Sequence, residues 1–394
     1  MTATAGTVPA MASSEDRTFH PHVEGARGVA AFYVVIFHIW QLAVQNASTG
    51  TLAGWYGGTW YLQYGHFAVV VFIVISGFCL GLPVAARPDR PFRVLEFFKR
   101  RARRLMPAYV AVVLLSIVPW CLTAIVAHQR INPPNIAIAT VLHLALIHNL
   151  FYATTEYLNG PLWSIALESQ IYVVFALVLI PVWRASARFG LAAQLAVALV
   201  LGLVPHFVLH TLDWTWPWLL GLFGMGVVAA ALTVRTTLPR LPWRALSLVA
   251  GVVALFFVVG TRDGVPDGSL WPTDFVLGAA VALFFVVSAR FGGRGLKPLL
   301  ASPPILLLGT FSYSLYLIHA PIVDLTAALL KRANAGTAVS MLVWAVLIPA
   351  LLVAAYGFYR VFERPFLSNA FRAVRDAEVD AAEHPDRGVV SPAA

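Results

Sequence analysis

Charge is what this 394-residue sequence has least of: Asp, Glu, Lys and Arg make up 11%, against 59% hydrophobic residues. Soluble domains carry about a quarter charged residues, so a water-soluble globule is excluded. Cysteine is nearly absent, with Cys79 and Cys121 both inside apolar runs. Neither a disulfide framework nor a thiolate metal site is expected, and both read as buried small hydrophobes. The N-terminal stretch before Glu24 lacks an apolar core. No cleavable signal peptide is therefore expected, and the first hydrophobic segment acts as its own targeting signal. No internal repeat and no appended soluble domain stand out. The triplet Asn46-Ala47-Ser48 has the form of a glycosylation sequon, a pattern too short to carry weight.

What is abundant is apolar sequence, with a mean hydropathy of +0.78. Runs at about 28–46, 66–86, 105–127, 161–182, 190–210, 215–234, 244–260, 274–289, 305–330 and 339–361 have the length of membrane spans. A further stretch from Ile136 to Leu150 is shorter and carries His143 and His148. Loop charge arbitrates. With that stretch not spanning, alternate loops collect Arg87 through Arg104, Arg184 and Arg188, Arg235, Arg240 and Arg244, and Arg290, Arg294 and Lys297. The opposite loops hold only Arg130, Arg262, Lys331 and Arg332. That asymmetry places the basic loops and both termini in the cytoplasm. The net charge of +9 is thus an orientation signal, and no nucleic-acid partner is implied. The expected fold is all-α: a polytopic membrane protein of about ten transmembrane helices with one re-entrant or interfacial helix over 135–152. Cytoplasmic tails over 1–23 and 367–394 flank a membrane domain over 24–366, in the cell membrane.

Four units resist explanation as packing. Arg27 and His38 are eleven residues apart. On a helix that puts them within about 20° of one face and roughly 16 Å apart along the axis. Arg27 suits an anchor at the cytoplasmic rim, whereas His38 falls near mid-bilayer, where an ionisable group is a functional candidate. The run Lys99-Arg100-Arg101-Ala102-Arg103-Arg104 exceeds what orientation needs. Arg101 and Arg104 share a helix face, and guanidinium forks match phosphate geometry. Anionic lipid headgroups fit the same run. Ser164, Glu168 and Tyr172 recur every four residues and form a polar stripe, with Glu168 roughly 10 Å below the outer surface. Tyr313, Tyr316 and His319 follow with helical spacing, which suggests a polar cavity in the same layer.

In order along the chain these units resemble the membrane-bound acyltransferase 3 family, bacterial enzymes that O-acylate sugars, polysaccharides, peptidoglycan, lipids and some antibiotics. The likeness runs from Glu24 to Phe366. It rests on Arg27-Gly28 with His38, on Phe72 through Ser76-Gly77-Phe78, and on Arg101, Arg104 and Pro107. It continues with Trp163-Ser164, Glu168 and Tyr172, then Ser312-Tyr313, Tyr316 and His319, and closes on Phe362-Glu363-Arg364-Pro365-Phe366. The family's opening Leu-Asp-Gly-Leu-Arg-Gly is Val23-Glu24-Gly25-Ala26-Arg27-Gly28 here. The acid is one methylene longer, which shifts any ion pair with a neighbouring arginine.

The resemblance implies transfer of an acyl group, acetyl or another short chain, from cytosolic acyl-CoA to a hydroxyl. The acceptor would be a sugar, polysaccharide, lipid or macrolide-type product. It implies a catalytic set of His38, Arg27 and Glu168, with His38 as general base or transient acyl carrier. Glu168 would orient His38 or pair with Arg27. Arg100, Arg101, Arg103 and Arg104 would hold the donor phosphates. Ser76, Trp163, Ser164, Tyr172, Tyr313, Tyr316 and His319 would line the acceptor or oxyanion side. No metal and no bound cofactor are implied; acyl-CoA is a co-substrate. A secondary transporter or flippase uses similar intramembrane groups, but commonly shows two related halves.

Overall fold

An apolar run in a bilayer leaves its backbone one local solution, because every N–H and C=O must find a partner within the segment. The computed structural model describes residues 20–45, 58–210, 212–262, 270–292 and 295–367, and no strand occurs among them. The helices are α1 (Pro21–Gln45), α2 (Gly65–Ala86), α3 (Val94–Val126), α4 (Pro133–Leu144), α5 (Leu162–Arg184), α6 (Gly190–Phe207) and α7 (Leu219–Val234). They continue with α8 (Trp243–Gly260), α9 (Trp271–Arg290), α10 (Leu296–Leu300), α11 (Pro303–Thr310), α12 (Ser312–Arg332) and α13 (Thr337–Phe358). Among the described residues, ten helical stretches are long and apolar enough to cross a membrane. The protein is an all-α, multi-pass membrane protein. The two tails, over 1–19 and 368–394, and the Asn46-Ala47-Ser48 triplet lie outside the described residues.

Two backbone crossings organise the bundle, and motif glycines make both. A Cβ on Gly77 of α2 would lie 2.1 Å from the Phe223 carbonyl of α7, and one on Gly226 would lie 2.2 Å from the Val74 carbonyl. At the second crossing, a Cβ on Gly28 of α1 would meet the Gly309 amide of α11 at 2.5 Å, and one on Gly309 the Glu24 carbonyl at 2.5 Å. These helices touch main chain to main chain, the close approach small residues allow in membranes. Around the crossings lie two apolar cores. One is built on α2 and α7 with Phe78, Phe175 and Phe223; the other joins α1, α3, α12 and α13 around Tyr109 and Leu315. Peripheral α8 instead turns Leu248 and Phe256 outward, as a lipid-facing helix does.

The structure departs from the sequence reading in three places. Helix α3 starts at Val94, well before its apolar run, so the arginine run lies on the helix itself. The run at 305–330 is split at Phe311 into α11 and α12, which frees α11 to cross α1 at Gly28. In place of one helix over 135–152 stand α4, capped by Asn132, and short 3₁₀ turns at His148–Leu150 and Tyr152–Thr154. This hairpin is tied to α5 by a reciprocal amide pair: Asn149 Nδ2 donates to Gln170 Oε1 (3.3 Å) and Gln170 Nε2 to Asn149 Oδ1 (2.8 Å).

Prolines explain the local irregularities. Pro321 has no N–H for the Leu317 carbonyl, and Asn159 Nδ2 donates to that carbonyl instead at 3.0 Å. Pro181 and Pro365 each follow a π turn, at Phe175–Leu179 and Tyr359–Glu363, where the missing amide widens the helix. The second turn swings Glu363 inward, where it is buried and accepts a bond from Ser314 Oγ at 2.7 Å.

Candidate active site

A cavity of about 770 Å³ opens at the basic end of the bundle and runs inward between α1, α2, α3, α5 and α12. Nine arginines line it: Arg27, Arg87, Arg90, Arg93, Arg100, Arg101, Arg103, Arg104 and Arg184. Among the described residues lining it, only Glu24 and Glu168 oppose them in charge. Because α3 begins early, its first turns carry the run as helix; Arg101 and Arg104 face inward half-buried, while Arg100 and Arg103 are exposed. Arg101 Nε is buried with no hydrogen-bond partner among the described residues. A buried guanidinium N–H without a partner is costly, and an anionic ligand there would relieve it. Arg184 Nη2 donates to the Arg90 carbonyl at 2.7 Å and ties the loop after α2 to the end of α5.

Arg27 reaches into the cavity from α1 and pairs with Glu24 one turn earlier, Nη1 to Oε1 at 2.9 Å. The longer acid thus meets the motif arginine. The other Arg27 nitrogen approaches Cys79 Sγ at 3.9 Å. Cys79 and Cys121 are free and half-buried, so neither is the fully buried hydrophobe its apolar run suggested, and Cys79 lines the cavity.

Further in, hydroxyls replace guanidiniums. Tyr172 donates to Glu168 Oε1 (2.5 Å) and lies 3.2 Å from Ser76 Oγ, so Glu168 meets Tyr172 rather than Arg27 or His38. Tyr313 donates to the Leu105 carbonyl (3.2 Å) and links α12 to α3. Ser164 and Tyr316 hydroxyls lie 2.7 Å apart, and both reach the Pro161 carbonyl at 3.0 Å. Two protons serve these three contacts, so one hydroxyl can turn to a ligand without leaving the carbonyl bare.

Behind Tyr316 stand two histidines that do not line the cavity. His319 is fully buried, and its Nδ1 donates to the Tyr316 carbonyl at 2.7 Å. A carbonyl only accepts, so that bond fixes the proton on Nδ1. Nε2 keeps a lone pair and has no partner among the described residues. His38, half-buried, packs edge to face on His319 with centroids 5.1 Å apart. Arg27 and His38 thus share α1 but reach different compartments, one the cavity and the other the layer behind it.

Sequence reasoning missed a second group at the opposite end. Trp163 faces away from the cavity and stacks on Trp216, which packs on His66 at 4.2 Å. His66 Nε2 meets both oxygens of fully buried Asp274, at 2.9 and 3.0 Å, and Trp218 Nε1 donates to the same carboxylate at 2.8 Å. The available signal was an ionisable residue at the mouth of each of two apolar runs. Both pass for loop residues when helix ends are uncertain by a few positions.

The family model of an acyltransferase domain matches residues 21–360. Among curated proteins, O-acetyltransferase OatA of Staphylococcus aureus is 26% identical over 389 aligned residues, covering 90% of this chain and 58% of the relative. Peptidoglycan O-acetyltransferase OatA of Listeria monocytogenes is 25% identical, with 90% and 57% covered. The putative membrane-bound transacylase BcsY of Komagataeibacter xylinus is 29% identical over 316 residues, with 76% and 72% covered. The chain spans less than two thirds of the OatA relatives' length. No solved structure matches it significantly.

Proposed function

The chain belongs to the acyltransferase 3 family, and from that premise we propose that it carries an acetyl group from acetyl-CoA, bound at the basic face, to a hydroxyl of a glycan. The observation that supports this is the continuity of one cavity from nine arginines to the Ser164–Tyr316 hydroxyl pair. Arginine forks suit the phosphates of CoA, and the continuation of the cavity inward past them leaves room for its pantetheine arm. The relatives named as O-acetyltransferases, one of them of peptidoglycan, favour acetyl as the group and a glycan as the acceptor. In this reading the basic face is cytoplasmic.

The chemistry follows from where protons are placed. The acceptor oxygen attacks the thioester carbonyl carbon and its proton passes to His38, the half-buried imidazole of the pair. The carbon–sulfur bond then breaks, its electrons leave with the sulfur of CoA, and that sulfur takes the proton from His38 to leave as the free thiol. His319, fully buried and locked by the Tyr316 carbonyl, positions His38 without meeting substrate. Ser164 and Tyr316 supply hydroxyl donors for the oxyanion. Arg101 and Arg104 hold the donor.

The test is direct. Purified protein in detergent, given acetyl-CoA and chitotriose, should release free CoA thiol and form acetylated sugar, seen by mass spectrometry. His38→Ala should abolish both while the protein remains folded. Wild-type turnover absent, or full turnover in that variant, would sink the reading; a transporter would turn over no thioester.

A further inference from the structure

The buried carboxylate at the far end of the bundle needs a reason. Asp274 opens α9 fully buried, and its ionic partner among the described residues is His66 at the start of α2. A carboxylate has no proton to give, so the proton in that contact sits on His66 Nε2. In the neutral ring, Nδ1 therefore keeps its lone pair. A buried Asp sets the tautomer of a histidine in the same way in hydrolase triads. The His66 side chain is 16% exposed, so a ligand can reach it.

The surroundings hold this ring in place. Trp216 covers it at 4.2 Å and 33°, from a backbone at φ 55°, a left-handed conformation that bulky residues rarely adopt. Trp216 stacks in turn on Trp163, whose neighbour Ser164 carries a hydroxyl of the inner site. At the neighbouring Gly65, a Cβ would lie 2.2 Å from the Phe37 ring, and Phe37 is edge-on to His38 at 5.1 Å. Intervening aromatic rings thus link the dyad toward the helix of the hydroxyl pair, through Trp216 and Trp163, and toward His38, through Phe37, from the end opposite the arginines.

We propose that His66, set by Asp274, is an acceptor-side subsite whose Nδ1 takes a hydrogen bond from a glycan hydroxyl. That contact turns a neighbouring hydroxyl toward the Ser164, Tyr316 and His38 layer. The proposal deepens the glycan reading above and rests on it.

The probe is chitotriose, titrated into the purified full chain with tryptophan fluorescence as readout, beside acetyl-CoA binding by calorimetry. Wild type should bind chitotriose. His66→Phe keeps a ring on Trp216 and should weaken binding about tenfold, the loss of one hydrogen bond, with acetyl-CoA binding unchanged. His66→Gln, with an amide N–H for Asp274 and a carbonyl oxygen for the sugar, should recover most of it. Equal chitotriose binding in wild type and His66→Phe, or none in wild type, overturns the subsite. Should His66→Phe lose acetyl-CoA binding as well, Asp274→Asn decides: its amide can donate to Nε2 and flip the tautomer, so weakened binding supports the proposal and equal binding overturns it. Failure of acetyl-CoA to bind wild type would remove the donor reading, and the chitotriose titrations would still decide the subsite.

Discussion

His319 is fully buried, and its Nδ1 bond to the Tyr316 carbonyl makes it a fixed acceptor beside His38. The same residue, Tyr316, places its hydroxyl with Ser164 at the inner end of the cavity. Tyr316→Phe keeps the ring and the backbone bond but removes that hydroxyl. If the hydroxyl meets the oxyanion, kcat should fall by about 10²–10³, with KM for acetyl-CoA nearly unchanged. Steady-state kinetics on the purified variant checks this, and a KM effect with kcat intact would assign Tyr316 to binding instead. Arg104→Ala should do the reverse, raising KM for acetyl-CoA more than it lowers kcat. At this scale the sequence was readable where spacing carries information: Arg101 and Arg104 are three apart and do face inward together. His66 and Asp274 were not, because they meet across 208 positions and each alone marks only the end of a helix.

Between elements, glycines rather than apolar volume set the geometry of the site. The crossing of α1 and α11 at Gly28 and Gly309 holds Arg27 against the cavity. Gly28→Ala would force main chains apart at a contact of 2.5 Å. It should destabilise the protein by about 1–3 kcal/mol, the cost of overpacking, visible as a lower Tm in detergent. Ala at exposed Gly251, where a Cβ meets nothing, is the control and should leave Tm unchanged or raise it. The hairpin around α4 makes a different prediction. His143 and His148 stack at 3.7 Å, both fully buried. Burial pushes His148 down to about 3, helped by neighbouring His143, and holds His143 at about 4 against the opposing Ala139 carbonyl. Both folded values lie below the ordinary 6.5, so the unfolded segment binds protons first as pH falls. The hairpin's stability is full above that value and drains away toward pH 4. Deuterium uptake over residues 133–154, corrected for intrinsic exchange, should therefore rise from pH 7 to pH 5; no change would mean the pair is not held neutral. Hydropathy placed the spans well but saw neither the early start of α3 nor the break at Phe311. A window average cannot register a charged helical turn, or a break within a run that stays apolar throughout.

Over the whole molecule, two chemistries occupy opposite ends of one bundle. Nine arginines gather at the end where the loop charges accumulate, and the His66–Asp274 pair with its indoles lies at the other. The basic loops belong in the cytoplasm by the charge rule, which is also where acetyl-CoA is found. A glycan outside the cell would then approach from the opposite end, and the acyl group would cross most of the membrane within the protein. This arrangement makes orientation a functional claim. In a background with Cys79 and Cys121 replaced by Ala, single cysteines at Arg130 and Arg332 should react with an impermeant maleimide on intact cells. One at Arg188 should react only after the cells are opened. Arg188 labelled on intact cells would put the arginine cavity outside, away from its proposed donor, and the assignment of donor and acceptor ends would have to be exchanged. Salt gives an independent check at the same scale: KM for acetyl-CoA should rise with ionic strength, because exposed Arg100 and Arg103 at the mouth attract the donor through screened charge. KM for the neutral sugar should not, since the sugar carries no charge for salt to screen.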